Sequence, residues 1–252
     1  SLKCINNMIH SIIKYNPKDE TTEILTQENV PGLYFSNSCA IDDHKGHLYV
    51  GHTHGGMSII DLKNHTIKNF KHDPKNPKSL PADWVNCIYI DHYDNIWIGT
   101  KKGLSIYNPS KEEFTNFYHN PKNGNSILSN DIYDIKEINE TELWIACEIG
   151  GISILDLRDL TFKGVNDITF RNISTSFQEQ SLSSKNIRKI FQDTYKNIWV
   201  GNYGTGLDFI SHNPKSFYTL PKQSEDGTLL ANKPTGGIYM DGTNIWIGSE
   251  NK

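Results

Sequence analysis

The chain has 252 residues, with 25 Lys plus Arg against 29 Asp plus Glu and a formal net charge of −4. That length suits one large all-β domain or two small domains with a sizeable core, and the charge balance, without a basic stripe, argues against nucleic acid as a partner. The cysteines Cys4, Cys39, Cys87 and Cys147 are dispersed and form no CxxC pair, which excludes a disulfide framework or a zinc ribbon, and no apolar run is long enough to span a bilayer. The N-terminus lacks the basic-then-apolar pattern of a signal peptide, and a piece cut from a larger protein fits the same reading.

In chain order, "IHSIIKYNPKDETTEIL" (9–25) resembles the last two strands of a repeating unit. Complete units follow at about 38–71, 85–118, 131–171 and 187–219, and 237–248 supplies the first two strands of another. The second unit shows the grammar: "VNCIYID" (85–91), a polar turn "HYDN" (92–95), "IWIGT" (96–100), a short Gly-containing loop, "LSIYN" (104–108), then "EFTNFYH" (113–119). A long polar connector leads to the next unit. These short runs are rich in β-branched and aromatic residues and bounded by turn formers, which predicts strands. No segment holds a 3.6-residue period, so no helix is expected.

The anchoring aromatics Tyr49, Trp97, Trp144, Trp199 and Trp246 are separated by 48, 47, 55 and 47 residues. A period near 48 with four short strands predicts an all-β chain, a β-propeller of four-stranded antiparallel blades. Four complete blades and one assembled from 9–25 with 237–248 make five blade equivalents; the alternative is a fragment of a seven-bladed ring. Either way, 1–252 reads as a single propeller domain or propeller fragment. Asp43, Asp91, Asp193 and Asp241 each end a first strand before a turn, and Ile138 stands there in the third unit. A turn tolerates that exchange and a catalytic carboxylate does not, so these residues are expected to bond the turn backbone. The recurring Trp residues are expected to pack between blades. Trp84, in "SLPADWVN", has no counterpart and is a candidate for ligand contact.

"NIWIGT..GLSIYNP" (95–109), with the connectors "HDPKNPKSLPADWV" (72–85) and "HNPKNGNSILSNDI" (119–132), resembles the two-component regulator propeller repeat. The resemblance extends over nearly the whole chain. It implies the periplasmic sensor portion of a hybrid two-component system, a non-catalytic module without cofactor that binds an oligosaccharide. It further implies a neighbouring sensor propeller and a membrane-coupled histidine kinase outside this chain, with a homodimer as an accompanying expectation. Family rings usually have seven blades.

Loops on a rigid scaffold carry function, and in a propeller the second-to-third-strand loops share a face with the connectors. These loops are His52–Gly55, Thr100–Lys102, Cys147–Gly150, Asn202–Thr205 and Ser249–Asn251. "GHTHGGMSII" (51–60) places His52 and His54 one residue apart, hence on one face of a strand. Two imidazoles suggest a metal, but without a third ligand and its supporting shell no metal is assigned. The candidate ligand-binding residues are His52, His54, Trp84, Lys101, Glu148, Asn202 and Tyr203. Asp83, Asp131, Glu148 and Glu250 are the carboxylates a propeller enzyme would draw on, yet no GxSxG or HExxH motif is present and no catalytic residue is assigned. The alternatives are a protein-binding scaffold, with an exposed apolar patch, and, less favoured, a polysaccharide-active enzyme.

Overall fold

The computed structural model describes residues 2–3, 11–34, 36–162, 164–165, 167–175, 182–212, 217–219, 235–242 and 244–249. They fall into two compact units, Ser1–Asn116 and Phe117–Lys252, divided within one strand. In the first unit β1 (Leu2–Lys3), β2 (Ser11–Asn16) and β3 (Thr21–Thr26) form a three-stranded sheet. Two four-stranded sheets follow. One is β4 (Asn37–Asp42), β5 (His47–His52), β6 (Met57–Asp61) and β7 (Ile67–Phe70); the other is β8 (Val85–Ile90), β9 (Ile96–Thr100), β10 (Gly103–Asn108) and β11 (Glu113–Phe117). Each is antiparallel in simple sequence order, the blade that the repeat predicts.

The second unit holds two more such sheets. The first comprises β12 (Ile132–Asn139), β13 (Glu142–Cys147), β14 (Gly151–Asp156) and β15 (Phe170–Ile173). The next comprises β16 (Ile187–Gln192), β17 (Ile198–Asn202), β18 (Gly206–Ile210) and β19 (Phe217–Thr219), and β20 (Thr235–Asp241) pairs with β21 (Asn244–Ser249). A five-residue helix, α1 (Arg158–Phe162), interrupts the all-β pattern and departs from the expectation of no helix. It sits between β14 and β15, in the repeat whose aromatic spacing is 55 rather than 47 or 48. The extra residues coil there because they lie beyond strand pairing.

The cores lie between adjacent blades. In the first unit Tyr49 and Met57 of one blade pack against Val85, Ile88, Ile96, Ile98, Tyr107 and Phe114 of the next. In the second, Trp144, Ile152 and Ile154 pack against Ile187, Ile190, Ile198 and Val200. Burying each such side chain contributes about 1.5–3 kcal/mol. Trp97 is fully buried, whereas Trp246 in the two-stranded sheet is 59% exposed.

The carboxylate that ends the first strand fixes the turn and the aromatic together. Asp91 accepts hydrogen bonds from the Tyr93 and Asn95 amides (3.0 and 2.9 Å), from Asn95 Nδ2 (3.0 Å) and from Trp97 Nε1 (2.8 Å). Asp193 repeats this with Asn197 N, Asn197 Nδ2 and Trp199 Nε1 at 2.8, 2.9 and 3.1 Å. Burial acts to raise the Asp193 pKa, but these hydrogen bonds outweigh it and hold the carboxyl below its ordinary value. Asp43 binds Lys45 N, His47 N and His47 Nδ1, with Tyr49 in the Trp position. In the third unit Asn139 caps the turn through Thr141 N and Glu142 N, and Glu142 Oε2 accepts the Trp144 indole at 3.1 Å. The Ile138 exchange is thus absorbed by two neighbours.

The third strand of each complete blade starts on a glycine or, at Met57, directly after one. Gly56 and Gly151 have φ of +74° and +116°, and a Cβ there would lie 2.0 and 2.1 Å from the Phe70 and Ile173 carbonyl oxygens of the outer strand. Gly151→Ala should therefore be more damaging than a simple entropy argument allows, with the urea midpoint lowered by several kcal/mol equivalent, roughly 2 or more. Asp91→Ala strands the buried Trp97 indole and the Asn95 donors. The expected loss is about 2–4 kcal/mol, read from the same urea titration.

Candidate functional site

Strand pairing decides which loops share a face. The residue opening each first strand pairs with the one closing the second: Asn37 with His52, Val85 with Thr100, Ile132 with Cys147, Ile187 with Asn202. Each second-to-third-strand loop is then fastened to the connector entering its own blade. Thr53 N bonds Ser36 O (2.8 Å), Lys101 N bonds Trp84 O (3.1 Å), Glu148 N bonds Asp131 O (3.0 Å) and Tyr203 N bonds Asn186 O (2.8 Å). The connectors are closed on themselves. His72 Nδ1 donates to Leu80 O (2.7 Å) and its amide to Asp83 Oδ1 (2.7 Å), while His119 Nδ1 donates to Ile127 O (2.8 Å) and its amide to Asn130 Oδ1 (2.7 Å). A carbonyl only accepts, so each ring carries its proton on Nδ1.

The expectation that His52 and His54 share a strand face does not hold, because β5 ends at His52 and alternation ends with it. His52 is fully buried. Its Nε2 lies 2.7 Å from Ser58 Oγ, and that hydroxyl donates to Asn69 Oδ1 at 2.5 Å, so the ring donates Nε2–H to the serine. The Tyr34 ring stands at 5.2 Å. Burial, reinforced by the Lys71 charge, pushes the His52 pKa down to about 4. Asn202, its counterpart in the fourth blade, is also fully buried and donates from Nδ2 to Ser183 Oγ (3.0 Å) and Asp208 Oδ2 (3.1 Å). These two side chains hold their loops from within.

The other five candidates gather in two groups, one per unit. In the first unit the exposed His54 ring lies 5.1 Å from the half-buried Trp84 ring, and Lys101 Nζ sits 3.9 Å over the Trp84 centroid. In the second unit Glu148 Oε1 accepts from Arg188 Nη2 at 3.1 Å. The Arg188 guanidinium lies 3.6 Å from the Tyr133 centroid and 4.6 Å from that of Tyr203, which is 38% exposed. Ile149 beside Glu148 is 66% exposed.

Arg188 and Tyr133 are not among the sequence candidates. Both occupy a β-bulge, the residue skipped where pairing shifts between Ile187 and Lys189 and between Ile132 and Asp134. The same bulge holds Ser38 and Asn86 in the first two blades. A bulge re-aims a side chain, and the signal was present as one variable position, Ser, Asn, Tyr, Arg, inside an otherwise constant frame. Among the described residues no three His, Cys, Asp or Glu side chains are grouped to hold a metal. Burial pushes the Cys147 thiol up to about 11, against a weak contact with Ser153 Oγ at 3.8 Å, so it is a packed thiol rather than a nucleophile. Glu250 lies outside the described residues.

Residues 79–102 and 181–204 match the two-component regulator propeller model. No curated protein matches the chain. Among solved structures, the extracellular domain of the hybrid two component system BT3049 from B. thetaiotaomicron is 34% identical with a TM-score of 0.66, over 95% of this chain and 29% of that one. The extracellular domain of the one component system BT4673 from the same organism is 20% identical with a TM-score of 0.68, over 97% and 34% respectively. PorZ, a surface component of the type-IX secretion system of Porphyromonas gingivalis, is 15% identical with a TM-score of 0.64, over 97% and 36%. The last two likenesses bear on the fold alone. The chain thus spans about a third of the length of the structures it matches.

The His52 geometry sets an acid response. Between its folded pKa of about 4 and its ordinary value of 6.5 the unfolded chain binds more protons, so stability rises with pH across that window. The contribution is complete above about 6.5 and is lost as pH falls towards 4, on the order of 3 kcal/mol in full. Urea midpoints of wild type and His52→Gln, measured from pH 7.5 to 4, should converge as the pH falls, because the variant lacks this slope. Parallel curves would show that His52 is not the responsible group.

Proposed function

We propose that this chain, two of whose repeats match the two-component regulator propeller model, is a non-catalytic extracytoplasmic sensor module that binds an oligosaccharide. The observation that carries this reading is the composition of the loop-and-connector face. Within each unit it sets aromatic rings beside planar or charged polar side chains: Trp84 with His54 and Lys101 in one, Tyr203 and Tyr133 with Arg188 and Glu148 in the other. Sugar sites are built from aromatic platforms with a few placed polar groups. The extracellular domain of the hybrid two component system that it resembles at 34% identity supports the place in a receptor. No helix among the described residues is long and apolar enough to cross a membrane.

On this reading the periplasm is the compartment, and the signal passes through neighbouring sensor domains to a histidine kinase outside the chain. Signalling then requires that the ligand favour one arrangement of the receptor over another. A protein-binding face is the second reading, and the exposed Ile149, beside Glu148 in its loop, is what favours it. Thermal unfolding of the chain against plant and host oligosaccharides separates the two. A ligand at about 100 times its dissociation constant should add roughly 2.7 kcal/mol, and Tyr203→Ala or Trp84→Ala should abolish the shift. Absence of a shift across the panel, with intact cooperative unfolding, sinks the sugar reading and leaves the protein-binding face.

A further inference from the structure

We propose that the Trp84 face of the first unit is a subsite for an anionic substituent, a carboxylate or a sulfate, carried by the oligosaccharide; the proposal rests on the oligosaccharide reading above. Two lysines on this face are stacked on aromatic rings. Lys101 Nζ lies 3.9 Å over Trp84, and Lys71 Nζ lies 4.8 Å over Tyr34. The loop carrying His52 and Gly55 runs between them. Its Gly55 abuts the Tyr34 ring, its Gly56 amide donates to Asp83 O at 2.9 Å, and its His54 ring meets Trp84 at 5.1 Å. The two stacks therefore belong to one contiguous surface.

Charge pairing sets these two lysines apart from five others. Lys14, Lys45, Lys68, Lys78 and Lys189 each reach a carboxylate. Lys71 and Lys101 make no such ion pair among the described residues. Lys102 and His54 are exposed alongside them. Asp83 is the carboxylate facing them: it is half-buried, takes the His72 amide at 2.7 Å and attracts Lys71 without forming an ion pair with it, one negative charge against Lys71, Lys101 and Lys102. A positive excess is thus concentrated here, on a chain whose net charge is −4. Arg188 of the second unit differs, because Glu148 already neutralises it.

The stacking geometry points the same way. A cation over a ring covers the face that a neutral sugar would use for its C–H surface. The ring also orders the lysine stem while N–H donors remain for a ligand, even at Lys71, where Tyr34 takes one in a side-chain hydrogen bond, so little entropy remains to be lost when an anion arrives. A carboxylate or sulfate meets both conditions, whereas an uncharged pyranose would have to displace Lys101 first.

The test is calorimetric titration of the whole chain with three probes of equal length: galacturonic acid oligomers, sulfated galactan oligomers and neutral galactan oligomers. One anionic probe should bind at least roughly tenfold more tightly than the neutral one and weaken as salt rises. Which of the two binds identifies carboxylate or sulfate as the group recognised. Lys101→Gln and Lys71→Gln should each weaken that binding by roughly tenfold, and Lys75→Gln, an exposed and unstacked neighbour, by less than about twofold. Equal affinity for the neutral probe, or unchanged affinity in both stacked-lysine variants, overturns the anionic subsite and leaves the oligosaccharide reading standing. Binding by none of the three overturns the anionic subsite, and the oligosaccharide panel above then decides the broader reading.

Discussion

An indole N–H withdrawn from water needs an acceptor, and the chain meets that need at the same point in two of its three complete Trp-bearing blades. Asp91 and Asp193 close the first strand, bind the turn amides, and reach the ring of Trp97 or Trp199 across the hairpin. One carboxylate thus sets the turn, the register of strands one and two, and the orientation of the aromatic. An apolar residue in its place would leave several donors unsatisfied in the interior at once. The third unit shows that the requirement is for acceptors rather than for aspartate, since Asn139 and Glu142 divide the task.

The opposite face inherits its order from this arrangement. With the hairpin fixed at one end, the loops at the other are tied by backbone bonds to the connectors, and the outer strand adds a second tie. Ser58, Ser105 and Ser153 each donate to an asparagine, Asn69, Asn116 and Asn172. Those asparagine amides bond connector carbonyls at Gly32, at Pro77 and Ser79, and at Gly124 and Ser126. The frame therefore holds itself with residues that recur. Side chains at the loop and bulge positions are released from structural duty and can differ from blade to blade.

This division explains what the sequence discloses. Strands and turns follow from alternation and from local turn chemistry, both of which act within a few residues, so the repeat predicts them. The direction of a single side chain at a strand end depends on partners elsewhere. His52 turns inward because Ser58 and Asn69 stand ready to bond it, and period-2 counting cannot see that β5 stops there. Arg188 meets Tyr133 because two bulges in separate strands coincide, a contact between residues 55 positions apart that no window over the sequence contains. The short helix α1 was equally hidden in detail, though the longer spacing before Trp199 marked where extra residues had to go.

Electrostatics then distinguishes aromatic groups that composition alone would treat alike. Tyr203 and Tyr133 enclose a guanidinium already matched by Glu148, an arrangement with donors and acceptors in balance. Trp84 and Tyr34 hold ammonium groups for which the surface offers no equal count of carboxylates. On a chain of net charge −4 these lysines form a local positive excess that attracts an anion over roughly a Debye length, about 8 Å at physiological ionic strength. Stacking keeps those lysines in place without consuming their charge. The aromatic residue in such a site acts first as a mount for the cation and only secondarily as a surface for sugar.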